Sequence, residues 1–195
     1  MGKLNKYKKL DKNAFLAELI GIILGDGCLT KLERTESLRV ICNSKDEGYV
    51  KYVSDLIERV FGKKPNYTKR KNENAIDIRL YQKFISSRLR LPSGDKINNN
   101  IGAPRWIFCK NIYMINCLKG LFDTDGHFRK DIDNYLHVIE LKNRCKRILE
   151  NAYRMLKILG YNPQRGKEYV RLARKNEVYD FVEAINFRNM RCPVM

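Results

Sequence analysis

The stretch LIGIILGDG at residues 19–27 has a second copy, LKGLFDTDG, at residues 118–126. Both copies read Leu-x-Gly, continue with an apolar pair, and end in a small residue followed by Asp-Gly. Their aspartates, Asp26 and Asp125, are 99 residues apart. A repeat at this spacing indicates that the chain contains two copies of one structural unit.

The residues after each motif agree with this interpretation. Each motif is followed by an alternating strand pattern, a lysine (Lys45 or Lys142), and a helical pattern that ends in Gly-x-x-Pro at residues 62–65 and 160–163. Glycine after the last helical turn and proline just beyond it are typical helix stops. An Arg-Leu pair then follows in both copies. The sequence therefore predicts an α+β fold of two pseudo-symmetric αββαββα repeats.

The repeat also divides the chain. We assign a basic N-terminal extension (1–13), a first half (14–90), a turn-rich linker (91–111) and a second half (112–195). Helices are predicted at about 14–25, 46–61, 82–90, 112–124, 143–159 and 175–187. Strands are predicted near 28–34, 37–43, 66–71, 75–81, 127–130, 135–141, 164–166 and 168–173.

Small residues stand four apart in both motifs, Gly21 with Gly25 and Gly120 with Thr124. This spacing lets two helix backbones approach closely, and a glycine inside a helix otherwise costs about 1 kcal/mol relative to alanine. We therefore expect the two helices to pair and to bring their terminal aspartates together. Two adjacent carboxylates repel each other, and Mg²⁺ prefers such oxygen ligands. The alternative is that each Asp-Gly is only a junction between helix and turn.

The overall charge points to a polyanionic partner. The chain carries 39 Lys and Arg against 22 Asp and Glu, a net charge of +17, which favours nucleic acid binding. A generally basic protein, such as a ribosomal component, is the alternative. The longest aliphatic stretch, residues 19–24, is too short to cross a membrane, and the N-terminus lacks a signal-peptide core. We expect a cytoplasmic or nucleoid-associated protein (organellar if organelle-encoded) that is not secreted and has no membrane partner.

The two motifs resemble the paired motifs of LAGLIDADG homing endonucleases, and residues 104–107 resemble the segment that joins the halves in that family. The resemblance covers about residues 15 to 187. It implies a β-sheet saddle packed through the two motif helices, and a monomer that cuts double-stranded DNA at a long asymmetric target. The implied reaction is intron-homing cleavage of one phosphodiester per strand across the minor groove. It leaves short 3′ overhangs and uses Mg²⁺, for which Mn²⁺ substitutes.

The same resemblance implies the site residues. Asp26 and Asp125 stand at the metal-binding acids, and the carbonyls of Gly25 and Thr124 at auxiliary metal ligands. Lys45 and Lys142 stand where the family has catalytic basic residues, with Ser44 beside Lys45. The position matching Ser44 in the second half is Leu141, which predicts unequal halves. Asp123 is interpreted as a polar residue at the helix end.

Basic side chains on and near the predicted strands are candidates for reading DNA in the major groove. Together with Ser44 they are Lys31, Arg34, Arg39, Lys69, Arg70, Lys71, Arg79, Arg129, Lys130, Arg165, Lys167, Arg171 and Arg174. Two alternatives use the same fold. One is a maturase that binds intron RNA, with or without nuclease activity. The other is a transcription regulator, which would carry an added helix-turn-helix.

Overall fold

The computed structural model describes residues 9–131 and 136–188, with only the backbone described at residues 131 and 136. Most of the predicted N-terminal extension (residues 1–8), residue 135 of the sixth predicted strand, and residues 189–195 of the second half lie outside the described part. Within that part, no helix is long and apolar enough to cross a membrane.

The first half begins with helix α1 and contains one four-stranded sheet. Its elements are α1 (Ala14–Gly25), β1 (Gly27–Lys31), β2 (Glu36–Asn43), α2 (Glu47–Phe61), β3 (Asn66–Lys69), β4 (Ala75–Gln82) and α3 (Ile85–Leu89). A linker with a 3-10 helix (Arg105–Cys109) follows, in which Trp106 packs edge-on against Tyr113 at 5.1 Å between ring centroids.

The second half repeats this order. Its elements are α4 (Asn111–Asp125), β5 (Gly126–Asp131), β6 (Leu136–Lys142), α5 (Lys146–Ile158), β7 (Gln164–Arg165), β8 (Tyr169–Leu172) and α6 (Lys175–Ala184). The two antiparallel sheets have equivalent strand orders, β1-β2-β4-β3 and β5-β6-β8-β7. The predicted α+β fold of two αββαββα repeats is confirmed.

One face of each sheet packs against helices. In β2, Leu38, Val40 and Cys42 are buried, whereas Arg39 between them is only partly covered. This alternation is typical of a sheet with one face in the core and one open to solvent. These open faces are the surfaces that the family resemblance predicts will form the saddle.

The predicted start of α3 at residue 82 is wrong by three residues. Strand β4 continues to Gln82, which pairs with Glu36 at the start of β2. Glu36 also accepts hydrogen bonds from the backbone N–H of Ser86 (2.7 Å) and from its hydroxyl (2.8 Å). The ladder and this carboxylate together set where the strand ends and the helix begins, and neither is visible as local helix propensity.

The motif helices α1 and α4 form the interface between the halves. In α1, Asn13 caps the N-terminus by accepting from the N–H of Leu16 at 2.9 Å. Residues 16–24 are then all buried, as expected for a helix in the centre of a core.

Glycine makes this helix contact possible. A Cβ atom built on Gly21 would lie 2.9 Å from the backbone nitrogen of Leu121, and one on Gly120 would lie 2.7 Å from that of Ile22. Gly25 likewise packs against Thr124, whose Cβ would be 2.8 Å from an added Cβ. Real Cβ atoms essentially never come this close to another heavy atom, and at Gly21 and Gly120 the atoms met are backbone. The two helices therefore touch backbone to backbone, as the small-residue spacing predicted.

Candidate metal centre and nucleic-acid interface

Asp26 and Asp125 come together where the two motif helices end. Asp26 is the C-cap residue of α1 and Asp125 is the last residue of α4. A Cβ on Gly25 would be 3.4 Å from Oδ2 of Asp125, so this carboxylate lies against the last turn of the opposite helix. One acid from each half is thereby held in a single site.

The surroundings of the two carboxylates raise the pKa of both. The protein packed around Asp26 and then the charge of Asp125 raise the pKa of Asp26 to about 6, against the opposing effect of Lys96 and Arg188. Asp26 nevertheless keeps an exposed edge. Burial also raises the pKa of Asp125, which a hydrogen bond from Asn143 and the charge of Lys96 partly offset. Positive charge placed beside two such acids would stabilise their ionised forms.

Lys96, in the linker, supplies part of this positive charge. The sequence interpretation did not include it. Its Nζ donates to the carbonyl of Leu24 at 3.0 Å and to that of Gly25. Burial lowers the pKa of Lys96, while Asp125 and then Asp26 act in the opposite direction. An ammonium group therefore occupies the end of α1 beside both acids.

Arg188, after α6, has an equivalent position in the second half and was also missed. Its guanidinium donates to the carbonyl of Asp123 at 3.3 Å, and Asp123 is 99 residues from Leu24. Its backbone N–H donates to Oδ1 of Asp123 at 3.1 Å. The guanidinium stacks 3.6 Å from the ring centroid of Tyr49 and pairs with Asp46.

No repeat signal connected these two basic residues. Lys96 follows Asp26 by 70 residues, whereas Arg188 follows Asp125 by 63, so aligning the halves at one offset does not match them. The signal that could have found them is positional. Both are basic residues a few positions after the last helix of their half.

The predicted catalytic lysines lie further out. Lys45 is exposed in the turn after β2, next to Ser44, whose N–H donates to the carbonyl of Asn74 at 3.0 Å. Lys142 ends β6 with its side chain 70% exposed and 3.4 Å from Glu140. Lys142 lines the cavity beside Asp125, whereas Lys45 does not. Strand pairing also shows that Lys45 and Lys142 do not occupy equivalent positions. The equivalent glycines Gly27 and Gly126 pair with Val40 and Leu141, and the two lysines do not lie at the same distance from these partners.

The pairing identifies a different asymmetry between the halves. Two residues beyond Val40 is Cys42, and two beyond Leu141 is Asn143. Asn143 donates from Nδ2 to Asp125 at 2.8 Å. The Cys42 thiol has its pKa raised to about 12 by burial and then by Asp26. Asp125 thus has an amide donor where Asp26 has a neutral thiol, so the two acids are unequally stabilised.

A cavity of about 470 Å³ opens beside Asp125. Its walls come from β1, the linker and the turn after β6, and its polar lining includes Asp125, Lys96, Lys142 and Asn143. Cys145 closes one side by donating from Sγ to the carbonyls of Lys96 (3.5 Å) and Ile101 (3.3 Å). These contacts attach the linker to the second half and hold Lys96 at the site.

Asp123, interpreted as a polar helix-end residue, belongs to a buried charge cluster in the helix interface. Lys119 contacts it at 2.8 Å and contacts Glu18 of α1 at 2.6 Å. Tyr52 donates to Glu18 as well. Both acids are nearly inaccessible to solvent, and a buried charge requires such pairing. The cluster is structural and also contacts Arg188.

The predicted DNA-binding residues fall into three groups. The first group lies on the open faces of the sheets. Arg39 pairs with Arg79 in the first sheet, and Arg171 pairs with Glu140 in the second. Arg129 of β5 lies on the same face as Arg171. Four others lie at exposed strand ends, on the sheet face that packs against the helices: Lys31, Lys69, Lys130 and Arg165. The rest lie in hairpins or loops: Arg34, Arg70, Lys71, Lys167 and Arg174.

A buried acid orients two of these arginines. Asp77 contacts Arg79 at 2.6 Å and Arg70 at 2.9 Å. Burial alone would raise the pKa of Asp77, but the hydrogen bonds from Arg79 and Arg70 outweigh it and hold that pKa below its usual value. A fixed guanidinium loses less entropy when it binds a base edge or a phosphate.

Comparisons with known proteins agree with this geometry. Residues 113–191 match the family model of the LAGLIDADG-like domain. The structure of I-DmoI in complex with DNA and Mn is 21% identical with a TM-score of 0.61, covering 88% of this chain and 96% of that one. I-WcaI bound to its DNA recognition sequence is 19% identical with a TM-score of 0.60, covering 97% and 92%. No curated protein sequence matches the chain.

The fold is shared with a domain that is not described as an endonuclease. The N-terminal LAGLIDADG domain of DUF199/WhiA is 16% identical with a TM-score of 0.61, covering 91% of this chain and 85% of that one. The match to the family model thus falls in the second half of our chain. The chain as a whole has the two-motif fold of the LAGLIDADG homing endonucleases, so the resemblance inferred from the sequence is confirmed.

Proposed function

We propose that this protein is a site-specific, metal-dependent endonuclease for double-stranded DNA. It acts as a monomer on a long asymmetric target and hydrolyses one phosphodiester per strand across the minor groove, leaving short 3′ overhangs, in intron homing. The observation that supports this most is the coupled pair of Asp26 and Asp125, one from each half. Two raised carboxyl pKa values at the centre of a basic saddle are typical of a catalytic site.

The residues of the site fit a divalent cation. Within the described residues no cluster of three or more His, Cys, Asp or Glu side chains occurs, so the chain offers two carboxylates and the carbonyls beside them. Mg²⁺ is held in this way, by one or two carboxylates, with water and phosphate oxygens completing its shell. When bound, the cation supplies positive charge that stabilises the attacking and leaving oxygens. Mn²⁺, present in the DNA complex of I-DmoI, is expected to substitute.

The chain's own residues then have distinct roles. Asp26 and Asp125 bind the cation, with the Thr124 carbonyl as an auxiliary ligand. The Gly25 carbonyl becomes available as a ligand only when Lys96 moves away from it. Asn143 orients Asp125, and Lys96 and Arg188 place positive charge on opposite sides of the scissile phosphates. Lys142 and, further out, Lys45 with Ser44 are proposed to order the solvent around them.

The saddle supplies the DNA contacts. The arginines of the open faces are proposed to read base edges in the major groove, and the lysines at the strand ends and in the hairpins to contact phosphates.

A cleavage assay tests the proposed function. The protein is incubated with a plasmid that carries the intronless allele of its host gene, with Mg²⁺ and separately with EDTA. We expect linear DNA with 3′ overhangs in Mg²⁺ and intact plasmid in EDTA. Binding to the plasmid without cleavage in either Mg²⁺ or Mn²⁺ would show that the chain uses the fold only for recognition.

Lys96→Met separates the role of the ammonium group from that of the metal. The variant loses a positive charge next to the scissile phosphate, so we expect the cleavage rate at saturating Mg²⁺ to fall by about a hundredfold. The two acids lose a competing cation, so the affinity for Mn²⁺ should rise. Single-turnover cleavage and isothermal titration with Mn²⁺ measure the two effects. A weaker Mn²⁺ affinity would contradict the proposed competition, and Lys96→Arg is the control that keeps the charge.

A further inference from the structure

Arg188 belongs to the second half by sequence, but side chains of the first half hold it. Its guanidinium lies 3.6 Å from the ring centroid of Tyr49 and forms an ion pair with Asp46. Asp46 also caps α2 by accepting from the N–H of Tyr49 at 3.0 Å. From the second half, Asp123 accepts from the backbone N–H of Arg188 at 3.1 Å, and its carbonyl accepts from the guanidinium at 3.3 Å. The Arg188 side chain therefore crosses from one half to the other.

This crossing brings the positive charge of Arg188 to the acid of the first half. Burial and then Asp125 raise the pKa of Asp26, and Lys96 and Arg188 are the cations that oppose the rise. At Asp125 the rise caused by burial is opposed by Asn143 and Lys96, and both of these residues line the cavity beside that acid. Lys96 thus reaches both acids, whereas Arg188 acts on Asp26.

Tyr49 holds Arg188 with its ring. The residue is 6% exposed, and its Oη has no hydrogen-bond partner among the described residues. A planar guanidinium stacks on such a ring, and the attraction is strongest where water is excluded. Asp46 is more open to solvent, with 43% of its side chain exposed, and an exposed ion pair holds its partner weakly. The ring is therefore the contact that fixes the plane of the guanidinium.

The fold does not require an aromatic side chain at this position. Helices α2 and α5 begin 99 residues apart, so Tyr49 corresponds to Ile148, which is buried in the core of the second half. Lys96 is held by two backbone carbonyls at the end of α1 and not by a ring. The aromatic residue is thus found in the half whose acid is approached by an arginine.

We propose that Tyr49 is a positioning residue for cleavage, whose ring fixes Arg188 beside the phosphate served by Asp26, so that the end of the second half completes the site of the first. The inference rests on the proposed endonuclease function. It predicts that loss of the ring slows the cut in one strand, because the phosphate served by Asp125 keeps Lys96.

Two substitutions of Tyr49 separate the ring from the hydroxyl. The probe is a duplex that contains the cleavage site found in the plasmid assay, with a different dye on each strand. In Mg²⁺ we expect Tyr49→Leu to cut one strand about tenfold more slowly and to accumulate nicked DNA. Tyr49→Phe should stay within about twofold of wild type on both strands, since the ring remains. Arg188→Met should slow the same strand, and adding Tyr49→Leu to it should have no further effect.

A second measurement does not depend on cleavage. Phenylglyoxal modifies accessible arginine side chains, and mass spectrometry of the peptide that contains Arg188 gives the rate. We expect Tyr49→Leu to raise this rate severalfold and Tyr49→Phe to leave it unchanged. A wild-type protein that did not cut would remove the endonuclease function, whereas an unchanged modification rate in Tyr49→Leu would overturn the role of Tyr49.

Phe61→Leu is the matched control. Phe61 ends the same helix, is also 6% exposed, and has the guanidinium of Arg88 at 5.1 Å from its ring centroid. Arg88 donates to Gln82 at the end of β4, so this variant loses a similar buried ring and should cut both strands at the wild-type rate.

Equal slowing of both strands in Tyr49→Leu would overturn the proposal, because a general loss of structure has that effect. Slowing of the same size in Tyr49→Phe or in Phe61→Leu would overturn it too. Should Tyr49→Leu be unfolded by circular dichroism, Arg188→Lys replaces it. That variant keeps the positive charge but cannot stack as a plane, and the same strand should be slowed.

Discussion

Replacing Asp26 or Asp125 by asparagine should lower the rate of double-strand cleavage by roughly a thousandfold or more, because we propose that each acid holds the cation that stabilises the transition state, a contribution of several kcal/mol. Affinity for DNA should be preserved, since in the proposed function it comes from the basic saddle. Cleavage of a target plasmid and a gel-shift assay with the same DNA in Ca²⁺ measure the two properties. A variant that still cuts at the wild-type rate, or one that loses only binding, would show that these acids are not catalytic.

The substitution Asp26→Asn should also stabilise the protein in the absence of metal. Asp26 ionises near its usual pKa in the unfolded chain but near 6 in the folded protein. Folding therefore disfavours the charged form, and stability is lost as the pH rises from about 4 to 6. Asp26→Asn removes this penalty. The full shift would correspond to about 3 kcal/mol, but the exposed edge of Asp26 lets solvent screen it, and we expect about 1 kcal/mol at pH 8.

Urea unfolding of Asp26→Asn in EDTA at pH 5 and at pH 8 checks the sign. The gain over wild type should be larger at pH 8. A gain that is larger at pH 5 would mean that the carboxylate is stabilised as an ion in the folded protein.

Gly120→Ala and Gly21→Ala should each strongly destabilise the protein. The added methyl group meets backbone of the partner helix at 2.7 Å from the nitrogen of Ile22, or at 2.9 Å from that of Leu121. Backbone cannot rotate away as a side chain can, so the helices must separate and loosen the core. We expect a loss of about 3 kcal/mol in the free energy of unfolding.

Gly48→Ala is the matched control. Gly48 is exposed in the first turn of α2, and the nearest atom to an added Cβ is 3.9 Å away. The same chemical change should stabilise the protein there by up to about 1 kcal/mol, because alanine favours helix. If Gly120→Ala proved as stable as Gly48→Ala, the direct backbone contact between α1 and α4 would be disproved. Any Gly120→Ala protein that still folds should also bind Mn²⁺ more weakly, since the acids are carried on these helices.

The sequence determined the features that depend on neighbours along the chain. Both predicted helix stops are present, with Gly62 at φ 67° and Gly160 at φ 94°, because a left-handed residue after a helix is a local requirement that glycine meets best. The repeated motif likewise encoded the helix pairing and the two acids, since small residues four apart define one face of a helix whatever surrounds it.

Only the tertiary structure decided which basic groups approach those acids. Lys96 and Arg188 reach the ends of α1 and α4 from segments 70 and 63 residues away, and their spacings differ because linker and tail take different paths. The asymmetry of Asn143 and Cys42 is likewise set by strand register, which pairing across the sheet fixes. Electrostatics at this site depend on distance through space, whereas the sequence orders residues along the chain.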